Sequence, residues 1–185
     1  MAPTNKVVCN SAMNFIITSG WDKQIKFWDK SSSRSLTNSI NTGINITGLL
    51  SVGNRLVVTG STDFTRESDY NLNSHIINIY DLRNLSTPEK SYESPLKNET
   101  RSICAINPSD GFVIGGPEGK ISVEFFKDLS SNEIDSNMNL PKREYVDSNP
   151  IIKQCYAFKC HREEVEGMSI IHSINALAYH PRYIF

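Results

Sequence analysis

The sequence predicts an all-β fold, and three observations carry that prediction. The stretch from Phe15 to Asp29 reads Phe-Ile-Ile-Thr-Ser-Gly-Trp-Asp-Lys-Gln-Ile-Lys-Phe-Trp-Asp, two short apolar runs joined by a Gly-containing polar turn, which is how a β-hairpin is written. The pattern returns: Arg55-Leu-Val-Val-Thr-Gly-Ser61 aligns with Asn14-Phe-Ile-Ile-Thr-Ser-Gly20, and His75-Ile-Ile-Asn-Ile-Tyr-Asp81 with Gln24-Ile-Lys-Phe-Trp-Asp29. A short apolar segment precedes each hairpin and a weaker one follows, so the repeating unit has four strands. The first hairpin ends in Trp28-Asp29, and Phe15 and Leu56 are separated by a spacing inside the roughly 40 to 45 residues of one blade. The expected architecture is a WD40 β-propeller.

Each element follows from this unit. Lys6 to Ser11 is the innermost strand of the first blade, Ser31 to Arg34 a polar connection, and Leu36 to Ile40 the exposed outer strand. Ile44 to Val52 is the second inner strand, and the polar stretch 62–74 is an insertion between the strands of the second hairpin. Tyr92 to Leu96 is the next outer strand and Arg101 to Pro108 the next inner one. The third hairpin, Gly111 to Phe126, has Val123-Glu124-Phe125 where Trp-Asp would stand. A Ser-, Asn- and Asp-rich linker over 127–149 is expected to be flexible, Ile151 to His161 resumes as a strand, and 162–172 is a second flexible polar loop. Ser173 to Pro181 opens a fourth unit. The repeats thus span about 6–29, 45–83 and 101–126, with an incomplete one over 173–185.

Three hairpins and one begun are fewer than the roughly 4–8 blades that close a ring. Open ends expose apolar faces and strand edges, so the expectation is a partial sequence of a larger propeller. A soluble, cooperatively folding monomer would count against it.

Composition excludes several classes. With 38% hydrophobic and 21% charged residues in 185, the chain reads as a globular protein with a real core. No apolar run reaches the roughly 20 residues of a membrane span, and Met-Ala-Pro-Thr-Asn-Lys lacks the apolar core of a signal peptide, so cytosol or nucleus is expected. A net charge of -1 gives no ground for direct DNA binding or membrane association. Cys9, Cys104, Cys155 and Cys160 form no Cys-x-x-Cys pair, which leaves them structural; no metal or other cofactor is expected. His75, His161, His172 and His180 stand in separate segments, no nucleophile lies in an active-site signature, and Gly115 to Gly119 lacks the Gly-Lys-Ser/Thr ending of a phosphate loop. The expectation is a protein without enzymatic activity, and peptide binding is the function left.

Three passages go beyond a generic repeat: Glu93 to Arg101 (Glu-Ser-Pro-Leu-Lys-Asn-Glu-Thr-Arg), Pro117 to Phe126 (Pro-Glu-Gly-Lys-Ile-Ser-Val-Glu-Phe-Phe), and Tyr156 to Arg162 (Tyr-Ala-Phe-Lys-Cys-His-Arg). Together they resemble the budding-uninhibited-by-benzimidazole WD40 family of the spindle assembly checkpoint, over Lys6 to Phe185 and about the third to sixth blades of a seven-bladed ring. The sister family, WD40 messenger-RNA export factors of the nuclear pore, is the nearest competitor. Val123-Glu124-Phe125-Phe126 resembles the checkpoint side and Ser94-Pro95-Leu96 leans to the export side.

The resemblance implies an adaptor at nuclear kinetochores, with a cytoplasmic pool allowed. It would recruit checkpoint kinases through a short acidic peptide motif to a phosphorylated kinetochore scaffold, with a ubiquitin-ligase checkpoint complex as a further partner. The export reading implies a nucleoporin peptide instead. The resemblance also places site residues. Lys120 stands where the family has Arg, keeping the charge but not the bidentate fork; the alternative is a solvated turn lysine. Phe158 and Lys159 match an aromatic-plus-cation site, though a Phe in an alternating strand reads equally as core. Lys159 and Arg182 match a phosphothreonine receptor, suited to a dianion, with a surface charge near a turn as the alternative for Arg182. Trp21, in a turn with no packing reason of its own, lines the peptide face by resemblance, whereas Trp28 reads as core. Asp22 and Asp29 are expected to bond nearby turn backbone.

Overall fold

The structure is a computed structural model, which describes residues 2–32, 36–62, 74–107, 110–126 and 155–180. The described residues form three four-stranded antiparallel meanders. The first pairs β1 (Thr4–Asn10), β2 (Phe15–Gly20), β3 (Gln24–Asp29) and β4 (Leu36–Asn41) in sequence order. The second pairs β5 (Asn45–Val52), β6 (Arg55–Ser61), β7 (His75–Asp81) and β8 (Lys90–Glu93) in the same way. The third pairs β9 (Ser102–Asn107), β10 (Gly111–Gly115), β11 (Lys120–Phe125) and β12 (Tyr156–Lys159). These are three blades of an incomplete WD40 β-propeller.

The same local chemistry shapes each copy. One main-chain bond closes every hairpin: Lys30 N–H donates to Asn14 O (3.3 Å), Leu82 to Asn54 (2.8 Å) and Phe126 to Asp110 (3.0 Å). Asp29 accepts from Ser31 N–H (2.8 Å) and Asp81 from Arg83 N–H (2.9 Å), so the Asp of Trp-Asp turns the chain out of the strand through its own carboxylate. The register makes Phe15–Asp29, Arg55–Asp81 and Gly111–Phe125 equivalent pairs, so Arg55 matches Phe15 rather than Asn14, one residue off the alignment of the apolar runs. Glu124 therefore stands where the first copy has Trp28.

The core lies in the seams between blades. Ile17, Ile25 and Phe27 of the first blade pack with Ile46, Leu49, Leu56, Val58 and Tyr80 of the second. Val57, Ile77 and Ile79, on the other side of the second blade, pack with Phe112 and Ile114 of the third. Strand β6 is buried on both faces: Leu56, Val57 and Val58 are all 0% exposed, which is why it reads as an unbroken apolar run rather than an alternation. At about 1.5–3 kcal/mol per fully buried aliphatic side chain, these residues hold the three sheets together.

Several sequence expectations are met differently. The segment 162–172, expected as a flexible loop, contains a hairpin of β13 (Arg162–Val165) and β14 (Met168–Ile171) around Gly167, whose φ is 79°. Residues 173–180 form no strand, because no described strand lies beside them to complete a ladder. Ile174 is nonetheless buried, held by its N–H to Gly116 O (3.1 Å) and its carbonyl to Ser102 Oγ (2.9 Å). Trp28 is only half-buried. It shares a strand face with Lys26, opposite Ile25 and Phe27, and its indole N–H donates to Thr18 Oγ1 at 2.8 Å. The expected linker over 127–149 lies outside the described residues.

Candidate peptide-binding face

In a four-strand meander the start of the inner strand and the turn between the middle strands fall at the same end of the sheet. Across three blades this gathers the starts of β1, β5 and β9 with the β2–β3 and β10–β11 turns on one face. A cavity of about 650 Å³ opens there, lined by Lys6, Trp21, Asn45, Arg101 and Asn175 among others. Trp21 is 69% exposed, and its backbone N–H is tied to Pro3 O at 3.2 Å. An exposed indole lies there beside Lys6, three asparagine amides and Arg101, whose guanidinium is paired with the Glu99 carboxylate at 2.9 Å, a mixed polar surface that an extended peptide can cross. Asp22 bonds the turn as expected, accepting from Gln24 N–H at 3.3 Å.

The third blade carries a second cluster on the same face. Lys120 follows the turn 116–119, where Gly119 has φ 58°, and a Cβ there would lie 2.7 Å from Cys160 O. Gly119 is required twice over, by backbone conformation and by the close approach of the outer strand. Lys120 and Lys159 are direct cross-strand partners. The equivalent pair is Gln24 and Asn41 in the first blade and Ile76 and Glu93 in the second, so among the described blades this position is doubly cationic only in the third. Directly opposed like charges cost about 0.2–1 kcal/mol, which a bound anion would reverse.

Lys120 Nζ donates to Pro95 O at 2.6 Å, which uses one of its three donors. Arg162 Nη2 donates to Glu118 O at 2.8 Å, bringing a third cation to the same turn. Arg162 closes the Tyr156 to Arg162 motif, but its place in a polar segment masked its role. Lys6 and Arg101 were equally illegible. Each is a single basic residue at the start of an inner strand, and only the assembly of three blades brings them beside Trp21.

Phe158 is exposed at 44%, stacked on Tyr156 with ring centroids 6.2 Å apart and an interplanar angle of 24°. It stands opposite Ile121 on the last of the described blades, so its exposure does not separate its two readings. Trp21 and the Lys120–Lys159 pair occupy separate parts of the face, since neither lysine lines the Trp21 cavity. Arg182 lies outside the described residues. Behind the cations, Glu124 is 4% exposed and accepts from Ser122 Oγ (2.6 Å) and Tyr92 Oη (3.2 Å), which links the second and third blades. Among the described residues no three His, Cys, Asp or Glu side chains could together hold a metal ion.

Comparison with known proteins agrees with this architecture. No protein-family model matches the chain. The mitotic checkpoint protein BUB3.1 of Arabidopsis thaliana is 33% identical over 172 residues, covering 91% of this chain and 42% of that protein. The mitotic checkpoint protein bub-3 of Caenorhabditis elegans is 29% identical, covering 94% and 43%. The mRNA export factor GLE2 of Chaetomium thermophilum is 28% identical, covering 90% and 38%. The chain thus spans about two fifths of the length of these relatives. Among solved structures, Chaetomium thermophilum Raptor superposes with a TM-score of 0.52 over 68% of this chain and 11% of that one at 13% identity, a likeness of fold alone. The chain is an incomplete WD40 β-propeller that resembles the Bub3 mitotic checkpoint proteins and, beside them, a messenger-RNA export factor.

Proposed function

We propose that this chain forms part of a peptide-binding adaptor of the spindle assembly checkpoint, without enzymatic activity of its own, acting in the nucleus at kinetochores. In this reading the face bearing Trp21 and Lys120 takes an acidic peptide motif of checkpoint kinases. Lys159, with Arg182, receives a phosphothreonine of the kinetochore scaffold. Phe158 supplies the apolar flank. The observation that carries the reading is the opposition of Lys120 and Lys159 at a position that is not cationic in either of the other two described blades.

The test is fluorescence anisotropy with labelled peptides on the full 185-residue chain. An acidic kinase-derived peptide is expected to bind, and Lys120→Glu to weaken it roughly 10- to 100-fold, the size of one lost charge-assisted hydrogen bond. Unchanged affinity in that variant would remove Lys120 from the site. The likeness to GLE2 supports a second reading, in which the same face takes a nucleoporin peptide. Tighter binding of nucleoporin than of kinase peptides would select it.

A further inference from the structure

The connection from the second blade to the third carries Ser94-Pro95-Leu96-Lys97 within reach of the peptide-face lysine. Ser94 is partly exposed and Lys97 exposed, while Leu96 is 1% exposed and pins the segment to the blade. Ser94 Oγ accepts from Leu96 N–H at 3.2 Å, and one residue further on Pro95 O accepts from Lys120 Nζ at 2.6 Å. A hydroxyl followed by proline, with a basic residue three places on, is the substrate pattern of proline-directed protein kinases. Proline at the second place biases the acceptor residue toward extended backbone, the form in which a kinase cleft holds it.

We propose that Ser94 is a phosphorylation site for a proline-directed kinase, and that its phosphate pairs with Lys120 and switches off the acidic-peptide site. The switching rests on the reading of Lys120 given above. In the transfer, Ser94 Oγ forms a bond to the γ-phosphorus of a nucleoside triphosphate as the bond from that phosphorus to the bridging β–γ oxygen breaks. The nucleoside diphosphate leaves, and the hydroxyl proton passes to the kinase's catalytic carboxylate. A phosphoserine adds close to two negative charges at neutral pH beside an ammonium already turned toward its main chain. The peptide carboxylate then competes with a tethered dianion for the same cation. Glu118 accepts from Lys97 N–H (3.1 Å) and Asn98 Nδ2 (3.2 Å) and stays bonded to the chain there, while Glu93, the residue before Ser94, is exposed.

The same pattern occurs in Thr87-Pro88-Glu89-Lys90, at the other end of β8. Thr87 is more exposed, but it shares its cavity with Asp81 and Glu89, each already paired with an arginine, Arg83 and Arg55, so a phosphate there would compete with carboxylates for cations that belong to the second blade. Only Ser94 adjoins a cation of the peptide face.

The test begins with the full chain, a proline-directed kinase and ATP, with sites mapped by mass spectrometry. Incorporation at Ser94 that disappears in Ser94→Ala is expected; modification of Thr87 alone, or none, overturns the proposal. Phosphorus NMR of the modified chain should show the second phosphate ionisation below its usual value of about 6, returning toward it in Lys120→Gln. An identical midpoint in both proteins overturns the pairing with Lys120. The phosphorylated chain should bind the labelled acidic peptide about tenfold more weakly than the unmodified one, with Ser94→Ala indifferent to kinase treatment. Equal affinities overturn the switch. Failure of Lys120→Glu to alter peptide binding would instead strike the underlying reading, and the mapping and phosphorus measurements stand apart from it.

Discussion

The first and third blades share one register and use it for different chemistry. At the position where the first blade places Trp28, with its indole bonded to Thr18, the third places Glu124, bonded to two hydroxyls. Where the first has the neutral pair Gln24 and Asn41, the third has Lys120 and Lys159. The turns match as well: Lys23 has φ 62° and Gly119 φ 58°. A backbone shared by two blades therefore supports a fold signature in one and a pair of opposed lysines in the other. Side chains at the Lys120–Lys159 position are free to diverge because the ladder and the seam residues, Glu124 among them, hold the sheet.

If that division is right, seam residues should matter far more to stability than the divergent ones. Phe112→Ala, at a fully buried seam position, is expected to cost about 3–5 kcal/mol by urea denaturation, whereas Trp28→Ala should cost distinctly less. Comparable losses would erase the distinction. A smaller effect is expected at Glu124: its replacement by Ala removes the carboxylate that accepts from the Ser122 and Tyr92 hydroxyls, with Tyr156 O at 3.3 Å remaining as an acceptor for Ser122, a cost of about 1–3 kcal/mol. A double-mutant cycle with Tyr92→Phe would show how much of that crosses the seam. Smaller still, and opposite in sign, Lys159→Gln should stabilise the unliganded chain by about 0.2–1 kcal/mol while weakening acidic-peptide binding. Equal stability of the two proteins would mean the lysines splay apart in solution.

The smallest effect concerns the Asp that closes the second hairpin. Hydrogen bonds from the Arg83 side chain, followed by that from its backbone N–H, hold the Asp81 carboxyl at about 2, below its ordinary 3.8. Since the folded value is depressed, whatever stability this pair contributes is present above about pH 4 and is lost as pH falls toward 2. Carboxyl NMR should find a midpoint near 2 that moves toward 3.8 in Arg83→Ala. No such movement would leave the turn bond as the only link between them.

The repeat was legible because each blade writes the same hairpin, and its strands recur where the apolar runs stand. Trp28 stands on the strand face that no described blade covers, whereas Tyr80, its equivalent in the second blade, is 5% exposed against the first. Alternation separates the two faces of a strand without saying which face meets the neighbouring blade, and in β6 both do. The hairpin over 162–171 was hidden because its strands carry Arg, Glu and Ser, and its residues are exposed throughout. At the candidate face, Lys120 and Trp21 could be singled out from resemblance to a family. Their surroundings could not, since Lys6 and Arg101 reach the Trp21 cavity, and Arg162 the turn before Lys120, through contacts between distant segments.

The burial of β6 on both sides has a consequence for how the chain comes apart. A globule with one central core loses its tertiary structure in a single step, but here the hydrophobic contacts form two separate interfaces that share one strand layer. Each outer blade can detach by opening one interface, while the middle blade cannot leave without opening both. Protection of backbone amides should then fall away from β6 toward either end, as in a stack of neighbours rather than a sphere.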